Sequence, residues 1–376
     1  MSALMAAVGA RAQDRGIPLS AHLDLTYRCN ERCVHCYLDH SDHGELSTAE
    51  ILDLLDQMAA AGVLFLTISG GEIFLRRDFF EILESARAAA FCVRLKTNGV
   101  MIREAEARQL ADLHIESVQI SIYSDRAEVH DEITKLPGSL ARSLRAVRLL
   151  RENGIRVTVA NVAMSKNFTD YHRVQDLSAR LGAHFALDPT VTPMMDGNRS
   201  VLDLGIDDSE LREVFRDESL VRNAGESCAP PSTVTEGDLD SYPCSAGHTA
   251  CYISPYGDVY PCVQFPLACG NIRQQRFVEV WRDSPQMNEV RSIRLRDLSG
   301  CSSCVHGASC SRCPGLAFME GNMRGPSTLD CRKSFARTGI SSENLRRKRV
   351  VARDLVQIEG IAMRENPARR PEFTGI

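Results

Sequence analysis

Short apolar runs and longer amphipathic stretches alternate from residue 20 to residue 190. The runs AHLDLTY (21–27), LFLTISG (64–70), CVRLKTN (92–98), SVQISIY (117–123), RVTVANV (156–162) and AHFALDP (183–189) have the length and alternation of strands. Between them, STAEILDLLDQMAAAG (47–62), RRDFFEILESARAAA (76–90), EAEARQLADLH (104–114), GSLARSLRAVRLLRENG (138–154) and TDYHRVQDLSARLG (169–182) repeat apolar residues at helical spacing. Several of these begin at Ser, Thr or Asp and stop at Gly, the chemistry of helix caps. Strand–helix alternation predicts a parallel sheet with right-handed crossovers. Six such units predict an α/β fold, a partial (β/α)6 barrel, short of the eight units that close a full one.

The rhythm stops near residue 190. Residues 191–243 are polar and rich in Pro, Gly and Asp, with one short helix expected at DDSELREVF (207–215), and they read as a bridging region. Residues 244–335 form a second, cysteine-dense unit that opens with TACYISPYGDVYPC (249–262), a hairpin with its turn at PYGD. The first 19 residues are a lead, and residues 336–376 a basic tail with a helix expected over SSENLRRKRVVARDLVQI (341–358). The basic run at 332–353 reads as a solvated helix rather than a grip for an acidic partner.

Composition narrows the class. A chain of 376 residues buries a core without disulfides. Its 44% hydrophobic and 25% charged residues are those of an ordinary globular protein, and a net charge of -5 argues against a nucleic-acid partner. No apolar run approaches the roughly 18 residues of a membrane span, and the N-terminus has no signal-peptide pattern. One number changes the picture: 14 cysteines. Without an export signal they read as reduced thiols of a cytoplasmic protein, available to metal.

Their spacing divides them. Cys29, Cys33 and Cys36 lie in CNERCVHC just after the first predicted strand, as C-x3-C-x2-C. Three thiolates in one loop suit three corners of a cubane iron–sulfur cluster. A zinc site wants a fourth ligand, for which His35 or His40 stands near. Ten more cysteines follow residue 227, with Cys301-x2-Cys304-x5-Cys310-x2-Cys313 the densest run, a spacing that on its own also fits paired zinc sites.

CNERCVHCY resembles the radical S-adenosylmethionine (SAM) enzymes. The resemblance implies a [4Fe–4S] cluster with one open iron that SAM chelates, and reductive cleavage of SAM to a 5′-deoxyadenosyl radical. Gly70-Gly71-Glu72, after the second strand, is similar to the family's GGE motif. There the glycines let backbone approach the methionine end of SAM and the carboxylate, here of Glu72, accepts its ammonium. Ile73 stands where the family usually has Pro. Lys96-Thr97-Asn98-Gly99 resembles the family's TNG, implying a role for Asn98. Ser121 ends strand four, where relatives read S-x-D, with Tyr123 at the acid's position. Lys135 falls where relatives have a basic residue for the SAM carboxylate. His130 and Asp131 read as structural.

The later cysteines are similar to the SPASM extension of radical SAM enzymes, which holds auxiliary iron–sulfur clusters. The resemblance implies two. Cys301, Cys304, Cys310 and Cys331 are assigned to the outer one, and Cys313 crosses to the inner one with Cys244 and Cys262. Cys251 is expected to complete the inner set, with Cys228 or an open iron as alternatives. The last interval, x2, departs from the usual x3. Trp281, in FVEVWRDSP, resembles the helix between the two SPASM cysteine groups and reads as packing.

The function implied is hydrogen abstraction from a substrate, most often a ribosomally made peptide that is cross-linked, given a thioether or epimerised. Tailoring of a tetrapyrrole side chain and sulfatase maturation are the alternatives among enzymes. An iron–sulfur electron carrier or a zinc protein is the alternative outside them. The first predicted strand starts at Ala21, which leaves no room for an N-terminal peptide-recognition domain. A peptide substrate is therefore expected to dock directly or through a separate carrier, and a flavodoxin or ferredoxin to supply electrons. No residue is assigned as general acid or base.

Overall fold

The computed structural model describes residues 3–38, 40, 42–220 and 231–342. Cys228 and all but the start of the helix expected at 341–358 lie outside the described residues.

Six parallel strands form the barrel: β1 (Ser20–Asp24), β2 (Phe65–Ser69), β3 (Cys92–Thr97), β4 (Ser117–Ser121), β5 (Arg156–Val162) and β6 (His184–Asp188). They fall within the predicted runs, except that β1 starts one residue early, at Ser20. The helices between them, α2 (Thr48–Ala61), α3 (Phe79–Ala88), α4 (Glu104–Asp112), α5 (Ala127–Thr134), α6 (Ser139–Glu152) and α7 (Tyr171–Arg180), cover the outer face. Their caps are as the sequence predicts at α2, where Ser47 and Glu50 make a capping box and Gly62 takes the left-handed conformation at the other end. A further helix, α1 (Ala3–Asp14), precedes β1 where only a lead is expected, and α8 (Asp208–Arg216) is the bridging-region helix.

Strand alternation sorts the barrel into two faces. Ala21, Leu23, Leu66, Ile68, Val93, Leu95, Val118, Ile120, Val157 and Val159 face the helices and form the main core. The other positions face the bore: His22 and Asp24, Thr67 and Ser69, Arg94 and Lys96, Gln119 and Ser121, Thr158 and Ala160. A closed eight-stranded barrel fills its bore with branched apolar side chains. Here the bore is polar and partly open, which makes room for a ligand.

The cysteine-dense unit does not stand apart from this sheet. Its expected hairpin forms, as β7 (Ala250–Ile253) and β8 (Asp258–Tyr260), and β7 pairs in parallel with β1. With β9 (Gly270–Asn271) the result is one nine-stranded sheet in the order β6-β5-β4-β3-β2-β1-β7-β8-β9. The helix Phe277–Asp283 then packs against α2, and Trp281 is buried, its indole N–H donating to the Gly16 carbonyl at 2.6 Å. Among the described residues no helix is long and apolar enough to cross a membrane.

Candidate functional site

A cavity of about 330 Å³ opens at the C-terminal ends of the barrel strands. Cys29, Cys33 and Cys36 line it together with Gly70, Gly71, Asn98 and Ser121. The cysteine loop is held at both ends. Arg32 N and Val34 N donate to the Thr134 and Ile133 carbonyls at the end of α5, at 2.9 and 3.0 Å. The Asn98 amide donates to Asn30 Oδ1 at 2.7 Å.

The glycines that line the cavity also press on protein backbone. Gly71 N donates to the Thr26 carbonyl at 2.7 Å, and Glu72 N to the Arg28 carbonyl at 2.9 Å. A Cβ on Gly71 would sit 2.3 Å from Arg28 O, and one on Gly70 (φ +142) 2.3 Å from Thr26 O. The glycine pair therefore lets the second strand's turn lie directly on the backbone that leads into the cysteine loop.

Glu72 departs from the expectation that its carboxylate meets a ligand. It is fully buried and absent from the cavity wall. Thr97 Oγ1 donates to it at 2.8 Å, Asn98 N at 3.0 Å and Phe74 N at 3.2 Å. Burial raises its pKa while those donors pull it down. The carboxylate thus pins the 97–98 turn to the 70–72 turn. Lys135 departs too. It caps α5 in the left-handed conformation (φ 58), is exposed, and is not part of the cavity wall. The end of the helix carries it outward. The cation that does line the cavity is Lys96, on β3 two residues before Asn98.

The triad is largely buried, and the cation that acts on it is Arg32, beside Cys36. Burial pushes the Cys29 thiol up to about 12, and raises Cys33 further and Cys36 as well. Glu31, between them, is raised to about 7 by burial, and its Oε1 is buried with no hydrogen-bond partner. His35 is lowered to about 4 by the same burial. Three thiols and an orphaned carboxylate oxygen around one cavity fit a cationic iron–sulfur group, because its charge favours the thiolates that burial disfavours.

Sequence reasoning missed a second part of the wall. His22, Lys96, Gln119, Tyr123, Asp188 and Met195 all line the cavity. His22 Nε2 pairs with Asp24 Oδ1 at 3.1 Å, the Tyr252 hydroxyl donates to Asp24 Oδ2 at 2.9 Å, and Tyr252 and Tyr27 share a hydrogen bond of 2.6 Å. The signal was present at His22, Lys96, Gln119 and Asp188: each is the polar member of an alternating strand and faces the bore.

The later cysteines fall into two groups. Cys301, Cys304, Cys310 and Cys331 line one cavity of about 60 Å³, with Arg312 and Asp330. Cys244, Cys262 and Cys313 are mutual charge neighbours, and burial pushes Cys244 up to about 11. Beside this trio Val263, Gln264 and Pro266 form part of the first cavity's wall. Cys251, expected as the trio's fourth member, is not gathered with it. It points from β7 into the apolar core, opposite in face to Tyr252, and its strongest charge neighbour is Cys269. Among the described residues no three His, Cys, Asp or Glu side chains close on a single metal ion.

Comparison with known proteins agrees with this layout. Residues 23–178 match the model of the radical SAM superfamily, and residues 244–314 that of the SPASM iron–sulfur cluster-binding domain. Mycofactocin maturase MftC of Mycobacterium tuberculosis is 30% identical over 323 residues, covering 82% of this chain and 82% of that one. An AdoMet-dependent heme synthase of Oleidesulfovibrio alaskensis is 27% identical over 321 residues, covering 78% of this chain and 82% of that one. In fold, the chain is similar to Streptococcus suis SuiB bound to the precursor peptide SuiA, with a TM-score of 0.67, 19% identity, and coverage of 84% and 77%.

Proposed function

The chain belongs to the radical SAM superfamily and has a SPASM iron–sulfur domain, and from that premise we propose that it modifies a ribosomally made peptide. Its cofactors are a [4Fe–4S] cluster, SAM and auxiliary iron–sulfur clusters. Bound together, the cluster and SAM supply a 5′-deoxyadenosyl radical that takes hydrogen from substrate.

The observation behind the reading is one cavity with the triad on one wall and the trio's turn, Val263–Pro266, on another. In this reading Cys29, Cys33 and Cys36 hold three irons. Gly70, Gly71, Asn98 and Ser121 face SAM, and Glu72 acts through Thr97 and Asn98 as a positioning residue. Cys301, Cys304, Cys310 and Cys331 hold the outer auxiliary cluster, and Cys244, Cys262 and Cys313 hold the inner one. The divisions at residues 190, 243 and 335 mark the functional segments, although the sheet runs through them.

The peptide reading is supported by two relatives, a mycofactocin maturase and a fold neighbour whose structure holds a precursor peptide. A second reading, tetrapyrrole tailoring, is supported by the heme synthase match. The partners proposed are a flavodoxin or ferredoxin as reductant and, where direct docking does not suffice, a carrier for the peptide. A cytoplasmic setting, proposed with this reading, suits cysteines that are unpaired among the described residues.

The test is anaerobic reconstitution, then incubation with SAM and dithionite. Wild type should hold about 12 irons in three clusters and form 5′-deoxyadenosine. Replacing Cys29, Cys33 and Cys36 with Ala should abolish that product. Retained cleavage would misplace the triad. Co-expression with short neighbouring reading frames, followed by mass spectrometry, then separates a modified peptide from a modified tetrapyrrole.

A further inference from the structure

The bore of the barrel contains a cation that its own fold does not satisfy. Three basic side chains occupy bore-facing positions of β3 and β5: Arg94, Lys96 and Arg156. Arg94 and Arg156 both bond to Glu116 at the bottom of the barrel, Arg94 Nε at 3.2 Å. Lys96 stands two residues further along β3 and lines the cavity. Among the described residues no side chain makes a hydrogen bond or ion pair with its ammonium.

Its charged neighbours are already engaged. Asp24, Cys262 and Asp188 are the groups that act on it. Asp24 takes bonds from His22 and Tyr252, and Asp188 Oδ1 accepts from Thr190 N and Oγ1 at 3.0 Å each. The thiols of Cys29, Cys33 and Cys36 are not among its neighbours. Lys96 therefore belongs to the side of the cavity that faces the later cysteines, away from the triad. Directly beside it, Gln119 is its register partner on β4, faces the same bore, and lines the same cavity.

We propose that Lys96 and Gln119 form a subsite for one carboxylate of the substrate, set in the wall of the bore. This rests on the reading of the cavity as the reaction chamber. An ammonium and an adjacent amide N–H offer one donor to each carboxylate oxygen. Asp24 and Asp188 on either side disfavour a dianionic phosphate and leave a single negative charge as the match for a single lysine. In a peptide the group is a C-terminal carboxylate or an Asp or Glu side chain. Its grip fixes how deep the substrate sits below the SAM-facing residues, and so which carbon is presented.

The test uses the full chain with its clusters reconstituted. Limiting acetic anhydride marks lysines, and mass spectrometry reads Lys96 against Lys135, which is exposed on the same molecule. The probes are 4-phenylbutyrate and its neutral isostere 4-phenylbutyramide. The acid should slow acetylation of Lys96 relative to Lys135 by about tenfold, the scale of one charge-assisted hydrogen bond, and the amide should not. In Gln119→Leu the protection should weaken by about threefold. Equal protection by acid and amide, or none, overturns the subsite, and unchanged protection in Gln119→Leu removes Gln119 from it. Protection by SAM alone, with no further effect of the acid, would assign Lys96 to the carboxylate of SAM and also overturn it. Absence of 5′-deoxyadenosine from wild type, with Lys96 still protected by the acid, would instead sink the radical reading and leave the subsite standing.

Discussion

At Gly71 a side chain has nowhere to go. The Arg28 carbonyl oxygen would lie 2.3 Å from its Cβ and the Tyr27 carbonyl oxygen 2.7 Å away, both backbone atoms that cannot rotate aside. Gly71→Ala should push the β1 loop off the 70–72 turn, cost about 2–3 kcal/mol in a urea melt, and reduce 5′-deoxyadenosine formation. Ordinary stability in this variant would mean the two loops separate freely. Motif reading found the residue but not this second contact, because a sequence does not show which backbone passes behind a glycine. His130 shows the opposite case. It reads as structural, and it is: buried on α5, its ring Nδ1 accepts from Tyr123 N at 3.1 Å. Burial lowers its pKa from 6.5 to about 4. The unfolded chain binds a proton there between those values and the native one does not. Its contribution is therefore complete above pH 6.5 and is lost as pH falls toward 4. Between pH 7 and pH 5 wild type should lose about 2 kcal/mol more than His130→Asn, read from urea midpoints of the two proteins. Equal losses would show the imidazole is not held neutral.

Element by element, the six strands and the helices between them, α5 apart, were legible because period-2 and period-3.6 patterns survive when one face is apolar and the other polar. The same alternation bears on the inner set's fourth ligand, which the spacing of cysteines left open among Cys251, Cys228 and an open iron. In β7, Tyr252 turns to the bore and bonds Asp24, so Cys251 must turn to the core beside Cys269 and the helix layer. Proximity in sequence suggested Cys251 as a ligand, but which way a strand residue faces depends on the parallel partner, β1, and that pairing joins residues 20–23 to 250–253. No local pattern records a contact across that distance. The consequence is a clean contrast. Cys251→Ala should keep the wild-type iron content and cost about 1 kcal/mol or less of stability, as a small apolar truncation does. Cys262→Ala should lose about four irons, one cluster's worth, in the same colorimetric assay. Loss of iron from Cys251→Ala would return it to the ligand set.

Over the whole molecule, the barrel and the cysteine-dense unit share one sheet and several further ties. Arg273 pairs with Glu50 at 2.6 Å, and Phe277 N donates to Gln57 Oε1 at 2.7 Å. These ties hold the inner cysteines against the reaction cavity. The outer set is attached differently. Cys301, Cys304 and Cys310 sit in loops, and Cys331 on the helix Thr328–Thr338, which packs on α8 outside the barrel. None of the four lines the cavity that contains the triad. Removing the outer pair should therefore separate two activities that a purely structural domain would lose together. In Cys301→Ala/Cys304→Ala the barrel strands, the 29–36 loop and the β1–β7 pairing keep their contacts, so cleavage of SAM with dithionite should stay within about threefold of wild type. Formation of the modified substrate should fall by more than about tenfold, because the proposed outer cluster site is broken while the proposed site that starts the reaction is not. Circular dichroism on the same sample shows whether the fold is retained. With the fold retained, equal loss of 5′-deoxyadenosine and of product would mean the outer cysteines support only the shape of the barrel.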